Sequence, residues 1–280
     1  MLGSSRFWNE TTQRLSKDKG IGCVVPDLLG FGRSPWPSGA ENYTIEAHIQ
    51  WLLRDTLPPP PENDDRGKED EEVHIVGHSL GGVMALEMGA RLPPHLKLGS
   101  VTVVSMPYFQ TRQEAEEALF NSPIPYLFIT WPRATWVLCS VMCQQRWFWS
   151  YPISSILSLV TMPFPRYHVP FEIIEDFFLH SCESASATMK QCVLSHNISS
   201  AAKEIRKKGG KIHVVHGDED TTTSPVNAKL FADEFGDSYH GVKGAKHLLP
   251  LHAPKVLCGI LGEGVEGTIE PGTKREYECE

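Results

Sequence analysis

The 280-residue sequence has no uninterrupted apolar run of the roughly twenty residues that a spanning helix needs. Residues 147–165 carry no charge for about that length, but Pro152, Pro163, Pro165 and several serines interrupt them. Only residues 153–162 read as continuous helix, which predicts a buried or interfacial helix rather than a transmembrane one. Basic residues are also in deficit, with 26 Lys and Arg against 34 Asp and Glu and a net charge of -8. Phosphate recognition depends on clustered cations, so no nucleic-acid partner is expected. Much of the acidity is local, in residues 62–72. The cysteines lack a metal-like pattern: Cys139 and Cys143 are four apart, and no second pair has matching spacing among the seven. Reduced, buried thiols are the expectation, with neither metal nor organic cofactor. No signal peptide is visible, since residues 1–20 have no apolar core behind a basic start. Three glycosylation triplets, at Asn9, Asn42 and Asn197, are too common by chance to fix a compartment.

What is present alternates between strand and helix signals, which predicts an α/β fold with a mostly parallel sheet and helices on both faces. Residues 22–26 read as a short apolar strand entering a glycine-rich loop, and residues 44–57 as a helix with Ile45, Ile49, Leu52 and Leu53 on one face. Four consecutive prolines then open a solvated loop that reaches Glu72. Strands are expected at 73–77, 100–105 and 212–216, with a last one at 239–242. A buried central helix is expected at 79–91. About a hundred residues between the second and third of these strands look helical and aromatic. The division that follows is a core of residues 1–109 and 211–262, a helical cap of 110–210, and a disordered tail of 263–280.

The chemistry concentrates at Gly77, His78, Ser79, Leu80 and Gly81. A Gly-x-Ser-x-Gly pentad arises by chance in about one chain in ten of this length. Here it lies directly between an apolar strand and a helix, the setting in which a serine is presented on a strained turn. A serine hydroxyl needs a base within reach, and the base needs an acid to orient it. Asp218, Glu219 and Asp220 crowd the turn after the strand at 212–216. Asp220 is preferred because Gly217-x-x-Asp220 lets the chain turn first. Asp218 is next, and Glu219 is expected to face solvent. His247, beyond the last expected strand, is the candidate base, with His240 and His252 as rivals. His74, His78, His213 and His216 are given structural or lining roles.

Residues 26–34 (Pro-Asp-Leu-Leu-Gly-Phe-Gly-Arg-Ser), 77–82 (Gly-His-Ser-Leu-Gly-Gly), His216-Gly-x-x-Asp220 and His247 together resemble the α/β-hydrolase superfamily, in its epoxide-hydrolase-like, cap-bearing branch. Residues 3–8 and the segment around His180 look most like the plant Bodyguard group of probable lysophospholipases. The resemblance implies an oxyanion hole made by the backbone N–H of Leu80 and one from a loop after the third family strand. Met1 falls at or near that second donor, so the first three family strands have no counterpart here. It implies an incomplete gene model or a fragment of an active enzyme, with a gap in the sheet between residues 22–26 and 73–77. Losing one oxyanion donor typically costs about 10²–10³ in turnover.

Epoxide hydrolases and haloalkane dehalogenases of this fold place an aspartate where Ser79 stands, so ester, thioester or amide hydrolysis through an acyl-enzyme is expected. The aromatic stretch 124–165 has three readings: packing of the cap onto the sheet, an apolar acyl tunnel, or a lid that contacts a membrane surface. Each makes a lipophilic ester a better substrate than a sugar or nucleotide. Two rivals stand beside the esterase reading: a ligand-binding protein that turns over slowly or not at all, and an amidase or peptidase of the same fold. The compartment is cytoplasmic by default, or secreted or cell-wall if a leader precedes Met1. The sequence does not set the oligomeric state.

Overall fold

The computed structural model describes residues 3–59, 71–120, 131–139, 141, 143, 146–164, 168–194 and 197–279. Five strands form one sheet, with β1 at Glu71–His78, β2 at Leu96–Val104, β3 at Lys211–Gly217, β4 at Ser238–Lys243 and β5 at Thr273–Glu278. They lie side by side in chain order and every neighbouring pair is parallel. Parallel neighbours require crossovers, and helices supply them. Ahead of β1 stand α1 (Asn9–Lys19) and α2 (Ile45–Thr56), the latter capped where the Ala47 N–H donates to Thr44 Oγ1 at 3.1 Å. Between β1 and β2 runs α3 (Leu80–Ala90), buried on nearly all sides as its composition predicts.

Among the described residues between β2 and β3 the regular elements are helices. They comprise α4 (Arg112–Phe120), α5 (Pro132–Cys139), α6 (Arg146–Thr161), α7 (Phe171–Asp176), α8 (Cys182–Thr188) and α9 (Ser199–Lys207). The remaining helices are α10 (Pro225–Phe235), the short α11 (Leu249–His252) and α12 (Pro254–Val265). Side-chain alternation along the strands sorts two cores. Val101, Val103, Ile212 and Val214 pack with Leu52 of α2, Leu86 of α3, Ile205 of α9 and Phe231 of α10. Val104, Val215 and Val242 pack with Leu257 and Ile260 of α12. Both faces of the sheet are covered, the normal state of parallel strands.

Three expectations need correction. Residues 263–279 do not form the disordered tail expected of 263–280, because α12 runs to Val265 and β5 adds a fifth strand beside β4. Its sequence, Thr-Lys-Arg-Glu-Tyr-Glu, has little apolar content because an edge strand exposed on both faces has nothing to bury. Its charges also protect that edge from further pairing. Residues 22–26 form no regular element and make no ladder, and Val24 is exposed. A strand needs a partner, and a cavity of 1210 Å³ lined by residues 21–28 and by β1 separates the two segments. Among the described residues β1 is therefore a sheet edge. Finally, α6 begins at Arg146 and continues through Pro152, rather than starting after it. A proline inside a helix costs one backbone hydrogen bond, and here the helix continues past it. No helix among the described residues is long and apolar enough to cross a membrane.

Several histidines are sealed into this framework. His48, His213 and His240 are fully or almost fully buried, and burial pushes each down to about 4 from an ordinary 6.5. Each is neutral in the folded chain but takes up a proton in the unfolded chain once pH falls below about 6.5. The unfolded state then binds more protons, so stability declines as pH drops. Thermal unfolding followed from pH 7.5 to 4 will show a Tm that falls continuously below about pH 6.5; a flat profile over that window would contradict this arrangement.

Candidate active site

The C-terminal ends of β1, β3 and β4 converge, and the loops leaving them carry the chemistry. Ser79 sits between β1 and α3 at φ 54 and ψ -125, a left-handed conformation costly for a side-chain-bearing residue. Glycine at 77 makes this crossing feasible. A Cβ there would lie 1.9 Å from the Gly81 carbonyl oxygen, because strand and helix pass at backbone contact. The hydroxyl is held out at the mouth of the sheet, at the N-terminus of α3, where the helix dipole favours negative charge.

His247 follows β4, and its Nε2 lies 3.1 Å from Ser79 Oγ. Its Nδ1 lies 2.9 Å from Asp220 Oδ2. Asp220 is buried in the turn after β3, where Oδ1 accepts the backbone N–H groups of Thr222 at 2.8 Å and Thr223 at 3.0 Å. Oδ2 also accepts the Thr223 hydroxyl at 2.7 Å and faces His216 Nε2 at 3.3 Å. Burial alone would raise the Asp220 pKa. Hydrogen bonds from His216, His247 and Thr223 overcome it and hold the carboxyl far below the usual carboxylate range. The group is thus an anion throughout the neutral range.

The structure brings Ser79, His247 and Asp220 together as one hydrogen-bonded chain. The rivals lie elsewhere. Asp218 is exposed and accepts the Gly244 N–H at 2.7 Å, bracing the loop that leads to His247, and Glu219 is exposed. His240 binds Ser238 and Tyr277, while His252 lies against the His168 carbonyl. Leu80 is the first residue of α3, and its N–H belongs to the helix-start donors that have no intrahelical acceptor. Met1 lies outside the described residues.

Two further residues support the set: Thr223, which sequence reasoning did not single out, and His78, which it gave a structural or lining role. Thr223 bonds both Asp220 and His247, the latter at 3.3 Å, and its only sequence signal is a run of three threonines after an aspartate. His78 inside the elbow lies 2.7 Å through Nε2 from the His247 carbonyl, and its ring sits between those of Phe7 and His247. Burial, with the neighbouring His247, pushes His78 down to about 3, so its neutral ring donates to that carbonyl. Asp27, in the loop of residues 26–34, accepts the Ser5 N–H at 2.5 Å and the Arg33 N–H at 2.8 Å. Gly32 stands at φ 55, where a Cβ would collide with that carboxylate.

The strand–turn–helix elbow at Ser79 and a parallel sheet in chain order agree with the comparisons. Residues 2–259 match the Alpha/beta hydrolase family.

The chain belongs to that family. Among curated proteins, this α/β-hydrolase is similar to the probable lysophospholipase BODYGUARD 4 of Arabidopsis thaliana. The two are 28% identical over 235 residues, which is 78% of this chain and 51% of that protein. The chain thus spans about half the length of that relative. It is 36% identical over 88 residues to lipase LipV of Mycobacterium tuberculosis, covering 31% of this chain and 28% of the lipase. Its fold resembles that of a thermophilic esterase from Thermogutta terrifontis, with TM-score 0.60 and 16% identity over 95% of this chain and 86% of the esterase. A Bacillus megaterium epoxide hydrolase gives TM-score 0.57 at 15% identity, covering 94% and 89% of the respective chains.

The cavity between residues 21–28 and β1 also reaches Ser79 and His247, and its lining includes Phe7, Leu80, Met84, Phe109, Phe177 and Leu248. No described residue of α5 or α6 contributes to these walls. Described aromatics of that region are instead exposed, Trp136, Trp149 and Tyr151 among them, while residues 124–130 of the aromatic stretch lie outside the described residues.

Because the elbow leaves no room at residue 77, Gly77→Ala will force strand and helix apart and destabilise the fold by about 2 kcal/mol or more. Denaturant unfolding of the variant will show a lower midpoint; an unchanged midpoint would mean that the crossing is looser than described.

Proposed function

We propose that this chain is a serine hydrolase that cleaves the carboxylic ester of a lipophilic acyl substrate through an acyl-enzyme. The observation that carries this reading is the 3.1 Å approach of His247 Nε2 to a hydroxyl held on a strained elbow. In the proposed reaction Ser79 Oγ attacks the acyl carbonyl while His247 Nε2 takes its proton. The tetrahedral intermediate collapses by breaking the bond to the leaving alcohol, which receives that proton. Water, deprotonated by His247, then attacks the acyl-enzyme, and Ser79 regains its hydrogen as the acid departs. Asp220 fixes the imidazole with Nδ1–H toward the carboxylate and stabilises the imidazolium.

The Leu80 N–H, at the start of α3, is the proposed oxyanion donor on this chain, with Met1 at the second position by family resemblance. A serine rather than an aspartate at the elbow favours acyl transfer over epoxide opening. Lipophilic substrate choice is supported by the apolar residues in the lining of the cavity that reaches Ser79 and by the names of the lysophospholipase and lipase relatives.

The outward-facing insertion supports a second part of the reading. Along α6, Ile156 is 60% exposed, Leu159 67% and Val160 62%, and residues 147–164 carry no charge. An apolar helix surface of this size is costly in water and suits the acyl boundary of a lipid layer. We assign this face to contact with the lipid surface from which substrate is drawn.

In assays with p-nitrophenyl esters of increasing acyl length, Ser79→Ala will lose at least ~10³-fold in turnover relative to the parent. Equal residual rates in the two proteins would overturn the hydrolytic reading in favour of ligand binding. A triple variant with Ile156, Leu159 and Val160 each changed to Glu will keep its rate on a soluble short-chain ester but lose about tenfold or more of its affinity for phosphatidylcholine vesicles. Undiminished vesicle binding would remove the lipid-contact assignment and leave the chemistry at Ser79 untouched.

A further inference from the structure

The cysteine spacing that excludes a metal along the sequence does not describe what the fold assembles. Cys139 ends α5, and Cys143 follows one helical turn later. His180 lies in the segment between α7 and α8, and Cys182 is the first residue of α8. The two segments, some forty positions apart, face each other across the base of the insertion. Cys139, Cys143 and His180 are all buried, and one donor atom from each lies within 4.8 Å of the others. Cys143 Sγ is 3.6 Å from His180 Nε2. Cys182, partly buried, packs against the same cluster, outside the three residues whose donor atoms lie within 4.8 Å of one another.

From these distances and donor types we propose that Cys139, Cys143 and His180 hold a structural zinc ion that fastens the helical insertion to the core, with the neighbouring Cys182 turning in as the fourth donor. Zinc bonds of about 2.3 Å to sulfur and 2.0 Å to nitrogen, arranged tetrahedrally, require neighbouring donors roughly 3.5–3.8 Å apart. The Cys143–His180 separation already falls within that range, and thiolate with imidazole is the donor set that selects zinc over hard cations.

The surroundings point the same way. Phe31, Leu28 and Ala185 wall the cluster, so its polar atoms have mainly one another to bind. The imidazole is fixed from its backbone, since Phe31 and His180 form a β-bridge and the Gly32 N–H donates to the Leu179 carbonyl at 2.7 Å. The Phe31 ring also stacks on that of His180, with centroids 6.3 Å apart. His180 Nδ1 is buried without a partner, which leaves Nε2, facing the thiols, as the ring atom that engages the cluster. Four protein donors close the tetrahedron and leave no position for a reacting water, so the ion's role is structural. Binding displaces one proton from each of the three thiols, giving a Zn(Cys)₃(His) centre of net charge -1 and three released protons. Through it α5, α8 and the loop at Phe31 become one unit, an arrangement that does not depend on the chemistry proposed for Ser79.

The test is metal analysis of the purified full chain by mass spectrometry, before and after exposure to zinc alone. The expected result is about one zinc per chain, with thiol titration showing three fewer reactive cysteines than after removal of the ion by a chelator. Cobalt exchanged into the site will give the strong visible bands of a tetrahedral thiolate centre. Cys143→Ser will lower zinc content at least tenfold, whereas Cys258→Ser, which alters a buried thiol outside the cluster, will not. The cobalt spectrum of the parent stands even if Cys143→Ser fails to fold. Parent protein that takes up no zinc while all its thiols titrate as free would overturn the proposal. So would a mass two units lower with a disulfide mapped between any two of Cys139, Cys143 and Cys182.

Discussion

Burying the Asp220 carboxylate is the constraint around which the site is organised. A lone carboxylate in such a place would be forced to take up a proton, since burial penalises its charge. Here two backbone N–H groups, a threonine hydroxyl and two imidazoles converge on its two oxygens. Satisfying that one anion fixes the turn after β3, orients the ring of His247 and holds the loop after β4 against the end of β1. Thr223 and His216 gain their importance from this demand rather than from any contact with substrate. A network of this kind is costly when incomplete, because each remaining member would be left buried with unmet bonding.

The parts of the fold that were legible in the sequence are those whose signal is local. Strands β1 to β4 announced themselves by β-branched runs bounded by turns, and α3 by small and apolar residues on every side. Ser79, Asp220 and His247 were legible because each follows directly on a strand, where the chain order of the loops gives away their common position. What stayed hidden depends on partners distant in sequence. Strand β5 has edge-strand chemistry and little hydrophobic content, so nothing in residues 273–278 separates it from a loop. Residues 22–26 carry strand-forming side chains, yet without an adjacent strand they form no ladder. Pro152 signals a helix end by the usual rule, but α6 runs on through it. The Cys and His cluster is invisible to spacing rules because its two halves lie on separate helices of the insertion.

The insertion divides its side chains between two tasks. Near the sheet, Phe177, Met189 and Val193 turn inward to the cavity that holds Ser79. Farther out, α5 and α6 turn large apolar residues toward solvent. The expectation that these aromatics pack the insertion onto the sheet or line a tunnel gives way to a surface arrangement. Between the two zones lies the cluster of Cys139, Cys143 and His180, at the place where the insertion meets the loop around Phe31. A rigid base beneath an apolar outer face would let that face engage a partner without disturbing the geometry at Ser79.

The sheet's order has a bearing on how the molecule assembles. Because each strand pairs with the one that precedes it in the chain, every new strand can dock on an edge already formed as the polypeptide leaves the ribosome. The exception in ease is the step from β2 to β3, which must close a loop of about a hundred residues before its contacts are rewarded. Closure entropy rises only logarithmically with loop length, so the penalty over a short connection is about 2 kcal/mol. Until that step is complete β2 presents an open edge, and collapse of the helices within the intervening segment shortens the search that ends it.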